Sequence, residues 1–481
     1  MNIKGELLKY SDNIFIKDLE KGISLTYKEF LILASNLECF LNLESIPEKL
    51  VVQKQNSLEL ALLYFWALFR KVKIFPLSVK YSAKFVESIC KKINSDFILN
   101  DDFSLNKDEL LNFLKNKKHS KDDFIKTLDI ILKNIDEPLF HFFSSGTTEE
   151  PKCIIHRFSD FYKNGKIFIL YHKIQPSDRF TTLLDMTYMA GFYNMFLIPF
   201  FSGASTVIRK SFQIKDIFNF WEYVVSNNVN ILWLVPTIIK LLNDFEKSKY
   251  MKLVEKKIKL IFSCTAPLPL NEKIKFRKKY NKKIFNTYGL SETLFVSSER
   301  EDNYLEKDFY VGQPLIDVKI NTKNELVIKN SDEFFVGYLK NNEVIPAPSE
   351  FSTKDIAKLE NNCLFIFGRS DDLIIKAGIN ISPSILENIL RNLNFLKDCA
   401  VVGIEDSKIG NKVVAFLVLK EKAFEKKKIL SLINKTIKEK YYKIDIIDDV
   451  VVLDNIPKNI NMKVDKKKLW EIYRNHILKE K

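Results

Sequence analysis

The chain has 481 residues, more than one hydrophobic core of ordinary size holds, so we expect two or more domains. Apolar residues make up 46% and charged residues 28%, which is typical of a globular protein and argues against a disordered or fibrous one. The net charge is +14, but the lysines are spread along the chain and alternate with acids. This distribution argues against nucleic-acid binding and is compatible with an anionic ligand or an acidic partner protein.

The cysteines, histidines and N-terminus give no sign of export or of a soft-metal site. The six cysteines are scattered singly without a CxxC pair, and the five histidines are equally dispersed. The first residues lack the apolar core of a signal peptide. We therefore expect a cytoplasmic setting, and we expect any metal to be a hard ion such as Mg²⁺ with oxygen ligands.

Strand-like apolar runs alternate with helical stretches through the first two thirds of the chain. Residues 50–52 precede a helical stretch at 57–70 and a second apolar run at 72–75, and residues 230–235 and 259–263 continue the pattern. This rhythm predicts a parallel, doubly wound α/β sheet, whose strand ends open onto a ligand-binding crevice.

The apolar stretch at residues 189–208 is about as long as a membrane span. It contains Asn194, Pro199 and Gly203, which favour a buried helix, a turn and a strand instead. We therefore expect no membrane span.

From about residue 317 onward the rhythm changes. Short strands at 318–320, 325–328 and 364–367 follow one another without helices, which predicts an antiparallel, barrel-like section attached to the doubly wound sheets.

The last part of the chain has its own strands at 400–403 and 413–418 and a helix at 431–441, which predicts a small α+β unit. We place the domain boundary between residues 368 and 369. The sequence thus predicts a large N-terminal domain, 1–368, and a small C-terminal domain, 369–481.

A run of small hydroxyl residues follows an apolar strand in the first third of the chain. The strand ends at Phe143, and Ser-Ser-Gly-Thr-Thr-Glu-Glu-Pro-Lys occupies residues 144–152. Backbone amides and hydroxyls in such a loop can surround phosphate oxygens, and Lys152 adds a positive charge. A plain surface turn is the alternative.

A second motif, Asn-Thr-Tyr-Gly-Leu-Ser-Glu-Thr, occupies residues 286–293 after a strand-like segment. Glu292 is suited to binding Mg²⁺, and Tyr288 is suited to stacking on a flat base. The alternative is a helix N-terminus capped by Ser291, with an acid in its first turn.

Two further polar segments lie towards the C-terminus. One contains Asp355 and the Gly-Arg-Ser-Asp-Asp sequence at 368–372, and an aspartate can accept both hydroxyls of a ribose. The other, residues 456–465, contains Lys463. Considered alone, they are a solvated turn and a basic terminal loop.

Taken together, the four segments resemble, in order and spacing, the superfamily of acyl-CoA synthetases, luciferases and peptide-synthetase adenylation domains. The resemblance covers nearly the whole chain, from the Leu-Thr-Tyr block at 25–27 to the Lys463 block. It implies an acid–thiol ligase that uses ATP and Mg²⁺ to form an acyl-AMP and then passes the acyl group to a thiol. It also implies a C-terminal lid that rotates between the two half-reactions.

The resemblance further implies roles for particular residues. Glu292 helps to hold Mg²⁺, Asp371 lies at the hinge, and the thiol passes over Gly378. Lys463 reaches the carboxylate and the α-phosphate, and it is expected to be catalytic together with Thr148 and Glu292. The expected ATP and AMP contacts are Ser144, Ser145, Gly146, Thr147, Thr148 and Lys152 at the phosphates, Thr265, Ala266, Pro267, Asn286, Thr287, Tyr288 and Gly289 around the adenine, and Asp355 and Arg369 at the ribose, together with Ser291 and Lys463.

Several positions depart from glycines that are usual in the family. They are Glu149 and Cys153 in the phosphate loop, Cys264 and Thr265 before Ala266, Lys354 before Asp355, and Met462 before Lys463. Because the charged and proton-transferring positions are kept, we expect an active enzyme. A nucleotide-binding relative that has lost catalysis is the alternative, and nucleic-acid binding has only the net charge in its favour.

The identity of the acid is only partly constrained. Met189 takes the place of the histidine in the acyl-site block of many acyl-CoA synthetases. The aspartate that grips an α-amino group has no clear counterpart, and Asp185 is the nearest one. The pattern is therefore nearer the acyl-CoA type than an amino-acid-activating enzyme that loads a stand-alone carrier protein. Met189, Phe192, Trp233 and Thr237 are candidate walls of the acyl pocket, with ordinary core as the alternative.

The thiol acceptor is expected to be CoA or the phosphopantetheine of an acidic acyl carrier protein. A Lys-rich C-terminal domain is suited to an acidic carrier, and we expect this carrier to be a separate protein. The sequence does not indicate an oligomeric state.

Overall fold

The structure is a computed structural model, and it describes residues 2–41, 43–95, 97–116, 120–144, 151–245, 250–329, 334–406, 409–421, 425–440, 446–458 and 464–480. The strands are β1 (Ile14–Asp18), β2 (Ile23–Thr26), β3 (Lys49–Gln53), β4 (Lys73–Leu77), β5 (Ile98–Leu99), β6 (Phe140–Phe143), β7 (Cys153–His156), β8 (Arg179–Thr181), β9 (Ser205–Ile208), β10 (Ile231–Leu234), β11 (Leu260–Ser263), β12 (Phe285–Leu290), β13 (Leu294–Ser298), β14 (Gln313–Pro314), β15 (Val318–Ile320), β16 (Glu325–Lys329), β17 (Gly337–Lys340), β18 (Glu343–Pro346), β19 (Glu350–Glu360), β20 (Cys363–Arg369), β21 (Ile374–Lys376), β22 (Ile379–Ile381), β23 (Leu396–Asp406), β24 (Gly410–Leu419) and β25 (Asp449–Val452). The helices are α1 (Ile3–Lys9), α2 (Tyr27–Ser35), α3 (Leu58–Arg70), α4 (Ala83–Ile93), α5 (Lys107–Asn116), α6 (Lys121–Asn134), α7 (Phe158–His172), α8 (Met189–Phe192), α9 (Ile198–Ser202), α10 (Phe220–Ser226), α11 (Pro236–Phe245), α12 (Met251–Lys257), α13 (Leu270–Tyr280), α14 (Pro383–Arg391), α15 (Lys426–Lys440) and α16 (Lys466–Glu480).

Helix α3 is buried along almost its whole length. The Ser57 side chain caps it by accepting from the amide of Leu60, and its residues from Leu58 to Phe69 are all buried. A helix that is apolar on every side is stable only when it is surrounded by other elements. Its aromatic residues pack accordingly: Phe65 contacts Phe158 with ring centroids 5.7 Å apart.

The two strands that flank the predicted phosphate loop, β6 and β7, belong to a seven-stranded sheet of order β18-β17-β7-β6-β4-β3-β5. Strands β3, β4, β5 and β6 run parallel, as the strand–helix rhythm predicts. Strands β6 and β7 pair antiparallel, from Phe140 opposite His156 to Phe143 opposite Cys153. Ser144 and Lys152, the two ends of the predicted phosphate loop, therefore lie side by side next to a pair of neighbouring strands.

The second motif lies in a five-stranded sheet of order β10-β11-β12-β13-β14. Strands β10, β11 and β12 are parallel, whereas β12 turns back antiparallel into β13. Ser291 therefore begins a hairpin turn, and the alternative that it caps a helix is wrong. The hairpin is tight, because a Cβ on Gly289 would lie 1.9 Å from the carbonyl oxygen of Leu294.

The apolar stretch at 189–208 folds as a buried helix, a turn and a strand, as its sequence predicts. Helices α8 and α9 are joined by a π-helical segment, Tyr193–Leu197, and end at Gly203, whose φ of 76° allows the turn into β9. Within the part of the chain that is described, no helix is both long and apolar enough to cross a membrane.

The later part of the chain contains the predicted barrel-like section and the small C-terminal unit. Strands β15, β16, β19 and β20 form an antiparallel sheet. In the C-terminal unit, β22-β21-β24-β23 form a sheet, with β25 beside β24, and α14 and α15 share its apolar core. The predicted helix at 431–441 begins earlier, at Lys426. The boundary between residues 368 and 369 stays a prediction.

Three histidines are buried in the N-terminal domain. The exposed fractions of His141, His156 and His172 are 2%, 0% and 6%. Burial lowers the pKa of His141 to about 3, of His156 to about 4 and of His172 to about 3. All three side chains are therefore neutral in the folded protein near neutral pH.

We expect these histidines to make the fold acid-labile. In the unfolded chain each binds a proton near pH 6.5, so the stability it contributes is present above that pH and is lost as the pH falls towards the folded-state value. The loss amounts to about 1.4 kcal/mol per pH unit for each histidine. His141→Phe, whose ring can keep the contact with Phe75, should make the slope between pH 6 and 5 less steep by up to about 1.4 kcal/mol per pH unit. Urea unfolding at these pH values tests this, and an unchanged slope would contradict it.

Candidate active site

Hydrogen bonds close the base of the phosphate loop. The Ser144 amide donates to the Lys152 carbonyl over 2.8 Å, and the Lys152 amide donates to Ser144 Oγ over 3.2 Å. The Lys152 side chain is exposed, and its Nζ lies 5.8 Å from the ring centroid of Tyr338. Ser145, Gly146, Thr147, Thr148 and Glu149, the remaining predicted members of the loop, lie outside the described residues.

The turn that carries Glu292 lies beside this loop. The Tyr338 hydroxyl donates to Glu292 Oε1 over 3.1 Å, so the same tyrosine contacts both Lys152 and Glu292. On the other side, His156 Nε2 lies 2.7 Å from the carbonyl oxygen of Ser291. The structure thus brings together the predicted phosphate lysine and the predicted magnesium carboxylate. Sequence analysis missed Tyr338 and His156, because both occupy strands whose pattern is that of ordinary sheet residues.

The predicted adenine and ribose residues also meet. Tyr288 on β12 donates a short hydrogen bond to Asp355 on β19, which joins two different sheets. Burial raises the pKa of Tyr288, and the Asp355 carboxylate raises it further, so the phenol keeps its proton. Asp355 is itself buried, and its amide donates to Thr353 Oγ1 over 3.0 Å. Asp355 lies opposite Arg369 in the β19–β20 ladder, so both predicted ribose residues lie in one place.

Arg369 is paired with the predicted hinge residue. Its Nε and Nη2 donate to the two carboxylate oxygens of Asp371 over 2.8 Å each. These hydrogen bonds raise the pKa of Arg369 and lower that of Asp371. Both side chains are about half exposed, and such pairs are worth little because water and salt screen them. Ser370, between them, donates to Glu325 over 2.6 Å and thus attaches the segment to β16.

A buried ion pair supports the start of β12. Lys273 Nζ donates to the two oxygens of Glu299 over 2.7 and 2.6 Å, and the Asn286 amide donates to Glu299 over 2.8 Å. Burial raises the pKa of Glu299 to about 6 and lowers that of Lys273. The Asn286 side chain donates to the Tyr310 carbonyl over 2.9 Å. Hydrogen bonds to Glu299 and Tyr310 therefore hold the start of the predicted adenine segment in place.

Two of the positions that replace usual glycines keep a glycine-like backbone. Thr265 has a φ of 72° and Lys354 a φ of 64°, both in the left-handed region. A β-branched residue such as Thr is rare there. Cys153 and Cys264, which replace two other usual glycines, do not have a positive φ. Cys153 is an ordinary residue of β7. Thr265 thus begins the predicted adenine segment, with Ala266 and Pro267 following it, in a strained conformation.

The segment after Pro457 reaches the N-terminal domain. Lys458 forms an antiparallel bridge with Val464, and Lys458 Nζ donates to Thr237 Oγ1 over 3.3 Å. Lys463 and Met462 lie outside the described residues, and Lys458 is the residue of this segment that contacts the start of α11. Gly378 lies in the turn between β21 and β22 with a φ of 80°, and a Cβ there would meet nothing within 4 Å.

The candidate acyl-pocket residues differ in burial. Phe192 and Trp233 are 0% and 1% exposed. Phe192 packs on Tyr64 with centroids 4.1 Å apart, and Trp233 stacks on Phe295 at an interplanar angle of 6°. This burial favours ordinary core for these two residues. Met189, which is 6% exposed, and the half-exposed Thr237 remain the better candidates.

The donor set fits a magnesium ion that is held mostly by nucleotide and water. Glu292 supplies one carboxylate beside the hairpin of β6 and β7, which we call the phosphate hairpin. The described residues contain no cluster of three or more His, Cys, Asp or Glu side chains that could hold a metal by themselves. A single carboxylate with phosphate oxygens and waters is the usual environment of Mg²⁺ in nucleotide sites.

Comparisons with known proteins agree with this architecture. A family model described as AMP-binding enzyme matches residues 6–331, and one described as AMP-binding enzyme C-terminal domain matches residues 386–463. The 2-succinylbenzoate–CoA ligase of Bacillus subtilis is 24% identical over 351 residues, which cover 70% of this chain and 69% of that protein. The sulfoacetate–CoA ligase of Cupriavidus necator is 25% identical over 312 residues, covering 60% and 58%.

Solved structures show the same fold over nearly the whole chain. ATP-bound MatB from Rhodopseudomonas palustris superposes with a TM-score of 0.79 at 19% identity and covers 98% of both chains. The O-succinylbenzoate–CoA synthetase of Bacillus subtilis in complex with AMP superposes with a TM-score of 0.78 at 20% identity, covering 97% and 98%.

The fold, the two nucleotide motifs and the small C-terminal domain define an adenylate-forming enzyme. The chain belongs to the AMP-binding enzyme family and has that family's C-terminal domain. It is an AMP-binding ligase of the acyl-CoA synthetase type, which joins a carboxylic acid to a thiol through an acyl-AMP.

The positive φ of Thr265 leads to a prediction about the free energy of unfolding. Thr265→Gly should raise the free energy of unfolding by roughly 0.5–1 kcal/mol, because relief of a left-handed residue is worth about 1–2 kcal/mol and the flexibility of Gly costs about 0.5–1 kcal/mol. Cys264→Gly is the matched control: its φ is not positive, its side chain is buried, and it should lose stability. Urea unfolding of both variants measures this, and a less stable Thr265→Gly protein would contradict it.

Proposed function

We propose that the β6–β7 hairpin, the Tyr288–Glu292 segment and the segment around Lys458 and Val464 form a site that activates a carboxylic acid as its acyl-AMP and then forms a thioester with CoA. The observation that carries the proposal is the convergence of Lys152 and Glu292 on one tyrosine, with the Tyr288–Asp355 pair on the adjoining hairpin. Cationic, magnesium-binding and ribose-binding groups are thereby arranged along one elongated site, as a nucleoside triphosphate requires.

In the first half-reaction, a carboxylate oxygen attacks the α-phosphorus of ATP, and pyrophosphate leaves. Lys152 and the hydroxyl residues Ser144, Ser145, Thr147 and Thr148, with Gly146, hold the β- and γ-phosphates. Mg²⁺, when bound at Glu292, neutralises phosphate charge and orients the leaving group. Lys463 offsets the negative charge that develops as two anions approach each other. This role is supported by the contact of Lys458, five residues earlier in the chain, with Thr237 in the first turn of α11.

The nucleoside is proposed to lie along β12 and β19. Tyr288 offers an aromatic face for the adenine, and Asn286, Thr287, Gly289, Ser291 and the Thr265–Ala266–Pro267 turn surround it. Asp355 and Arg369 are proposed to bind the ribose hydroxyls. Asp355 already accepts from the Tyr288 hydroxyl, and Arg369 is engaged with Asp371. Binding of the ribose therefore requires Arg369 to exchange an exposed, weak pair for a ligand contact.

In the second half-reaction, the thiolate attacks the carbonyl carbon and AMP leaves. We propose that rotation about Asp371 withdraws Lys463 and brings Gly378 to the thiol path. Nothing lies within 4 Å of the place where a Cβ of Gly378 would be, so the space beside this residue is open. Such an open space suits the passage of a narrow pantetheine arm.

We propose that the acid substrate is not an α-amino acid, because such a substrate would need a carboxylate to bind its amino group. Asp185, the nearest candidate for such a grip, already accepts from Ser78 Oγ over 2.8 Å and from the amide and hydroxyl of Thr187 over 3.0 and 2.7 Å. These neighbours favour a structural role for Asp185. Two relatives that match about 70% of this chain are named as 2-succinylbenzoate–CoA ligases, which favours the same class.

A carrier-bound phosphopantetheine is the second candidate for the thiol. Helix α15 is predominantly basic on its exposed side: Lys427, Lys428, Lys435, Lys438 and Lys440 are exposed, beside Glu439 and Leu432, which is 44% exposed. Such a basic face with one apolar residue suits the acidic helix of a carrier protein. Free CoA has in its favour the names of the relatives and needs no docking surface.

Lys463 should be required for the first half-reaction and dispensable in the second. Purified enzyme with a suitable acid should exchange labelled pyrophosphate into ATP, and EDTA should stop the exchange. Lys463→Ala should lose a factor of roughly 10²–10³ in exchange, because an ammonium directed at the developing charge is removed. The same variant should still convert a supplied acyl-AMP to a thioester.

Lys467→Ala and Lys468→Ala are the controls, because both lysines are exposed at the start of α16. Lys466 is unsuitable as a control, since its Nζ lies 2.6 Å from Asp372 Oδ1 beside the proposed hinge. Normal exchange by Lys463→Ala would remove the proposed mechanism. Absence of exchange in the wild type with a broad panel of acids would favour a relative that has lost catalysis.

Locking the hinge should separate the two half-reactions. Asp371→Pro fixes one backbone torsion at the proposed pivot, so it should keep much of the exchange rate and lose thioester formation with CoA. The substitution also removes the partner of Arg369, so Asp371→Ala serves as the control for that loss. Only the Pro variant should show the selective defect. Equal loss of both steps in Asp371→Pro would argue against rotation at this residue.

A further inference from the structure

Tyr338 lies between the two charged groups that face the proposed triphosphate site. Its hydroxyl donates to Glu292 Oε1 over 3.1 Å, and the Lys152 ammonium lies 5.8 Å from its ring centroid. This distance is within the range in which a lysine interacts favourably with an aromatic face. One side chain therefore offers its edge hydroxyl to a carboxylate and its ring to a cation.

The position of Tyr338 is fixed by the sheet. Strand β17 pairs with β7 so that Tyr338 is opposite Ile154, two residues after Lys152. Gly337, with a φ of 150°, allows β18 to approach, since a Cβ there would lie 2.0 Å from the Ile345 carbonyl oxygen. The Tyr338 ring also packs edge-on against Phe335, with centroids 5.4 Å apart. The tyrosine is thus attached to the same sheet as the phosphate hairpin.

The backbone next to Glu292 is held from the same sheet. His156 is fully buried, and burial lowers its pKa to about 4, so the ring is neutral. A carbonyl oxygen only accepts, so Nε2 carries the proton and donates to the Ser291 carbonyl over 2.7 Å. His156 on β7 therefore fixes the main chain before Glu292, while Tyr338 on β17 fixes the side chain.

We propose that Tyr338 is a positioning residue that keeps Glu292 oriented for Mg²⁺ and Lys152 oriented for the triphosphate. The proposal rests on the function proposed above, because it assigns a task to that same site. Nothing in the chain's motifs marks this tyrosine; the assignment comes from its two contacts.

Electrostatics explains why a tyrosine is suited to this place. A lysine and a glutamate on adjoining hairpins attract each other, and a direct ion pair would occupy both groups before the nucleotide arrives. Within the described chain, no ion pair joins Lys152 to Glu292; each is satisfied by a different part of the phenol. Tyr338 thereby orients the carboxylate without adding a positive charge that would repel Mg²⁺.

The test measures ATP binding as a function of magnesium, without acid substrate. ATP is titrated calorimetrically into wild type and Tyr338→Phe at a series of MgCl₂ concentrations. Tyr338→Phe keeps the ring and loses the hydroxyl. The Mg²⁺ concentration that gives half of the maximal gain in ATP affinity (the Mg²⁺ midpoint) should therefore rise roughly tenfold, as it does when a metal ligand loses its hydrogen-bond partner. At saturating Mg²⁺, kcat for pyrophosphate exchange should stay within a few-fold of wild type.

Tyr338→Leu removes the ring as well, so ATP affinity should also fall by roughly two- to fivefold at saturating Mg²⁺. Tyr304→Phe is the matched control: Tyr304 likewise donates to a glutamate, Glu306, over 3.1 Å and lies 4.4 Å from a lysine ammonium, that of Lys273, away from Glu292. It should leave the Mg²⁺ midpoint unchanged.

Three results would overturn the proposal. A Tyr338→Phe protein with the wild-type Mg²⁺ midpoint shows that the hydroxyl does not position Glu292. An equal shift in Tyr304→Phe shows a general effect of losing a phenol. Wild-type protein that binds ATP without any dependence on Mg²⁺ removes the proposed function of the site as well, whereas the first two results leave that function standing.

Discussion

The buried pair of Lys273 and Glu299 anchors the strand on which the nucleotide residues depend. The side chains of Lys273 and Glu299 are 2% and 0% exposed, and the carboxylate also accepts from the Asn286 amide. Removing one partner of such a pair leaves a charge without compensation inside the protein and typically costs about 3–5 kcal/mol. The pair therefore joins α13, the end of β13 and the start of β12 in a single arrangement. Tyr288 and Glu292 are presented from this fixed base.

The groups proposed to move are held in the opposite way. Arg369 and Asp371 form a bidentate pair, but both are about half exposed, so the pair is worth little and is easily exchanged. The chain thus has a buried ion pair behind the predicted adenine segment and a solvent-exposed one at the proposed hinge. The buried pair makes the first region rigid, and the exposed pair would allow the second to change partners if the lid rotates as proposed.

Much of this arrangement was predictable from sequence, because each motif is local. The apolar run before residue 144 predicts the strand that carries the phosphate loop, and the helix-free section after residue 317 predicts the antiparallel sheet. The Ser291 helix cap failed because the register of β12 and β13, rather than the local polar residues, decides the turn. Tyr338 and His156 were not predictable, since a residue's partner across a sheet leaves no trace in spacing. Thr265 and Lys354 show the converse: the backbone keeps a positive φ although the glycine has gone.

The contacts that build the site join residues far apart along the chain. Tyr338 and Glu292 are 46 residues apart, Tyr288 and Asp355 are 67 apart, and His156 and Ser291 are 135 apart. Closing such long loops is entropically unfavourable, and contacts of this kind form late relative to local helices. Nucleotide affinity should consequently be among the last properties that a refolding chain acquires. An ATP analogue therefore reports on completed assembly of three sheets, whereas circular dichroism reports mainly on their separate formation.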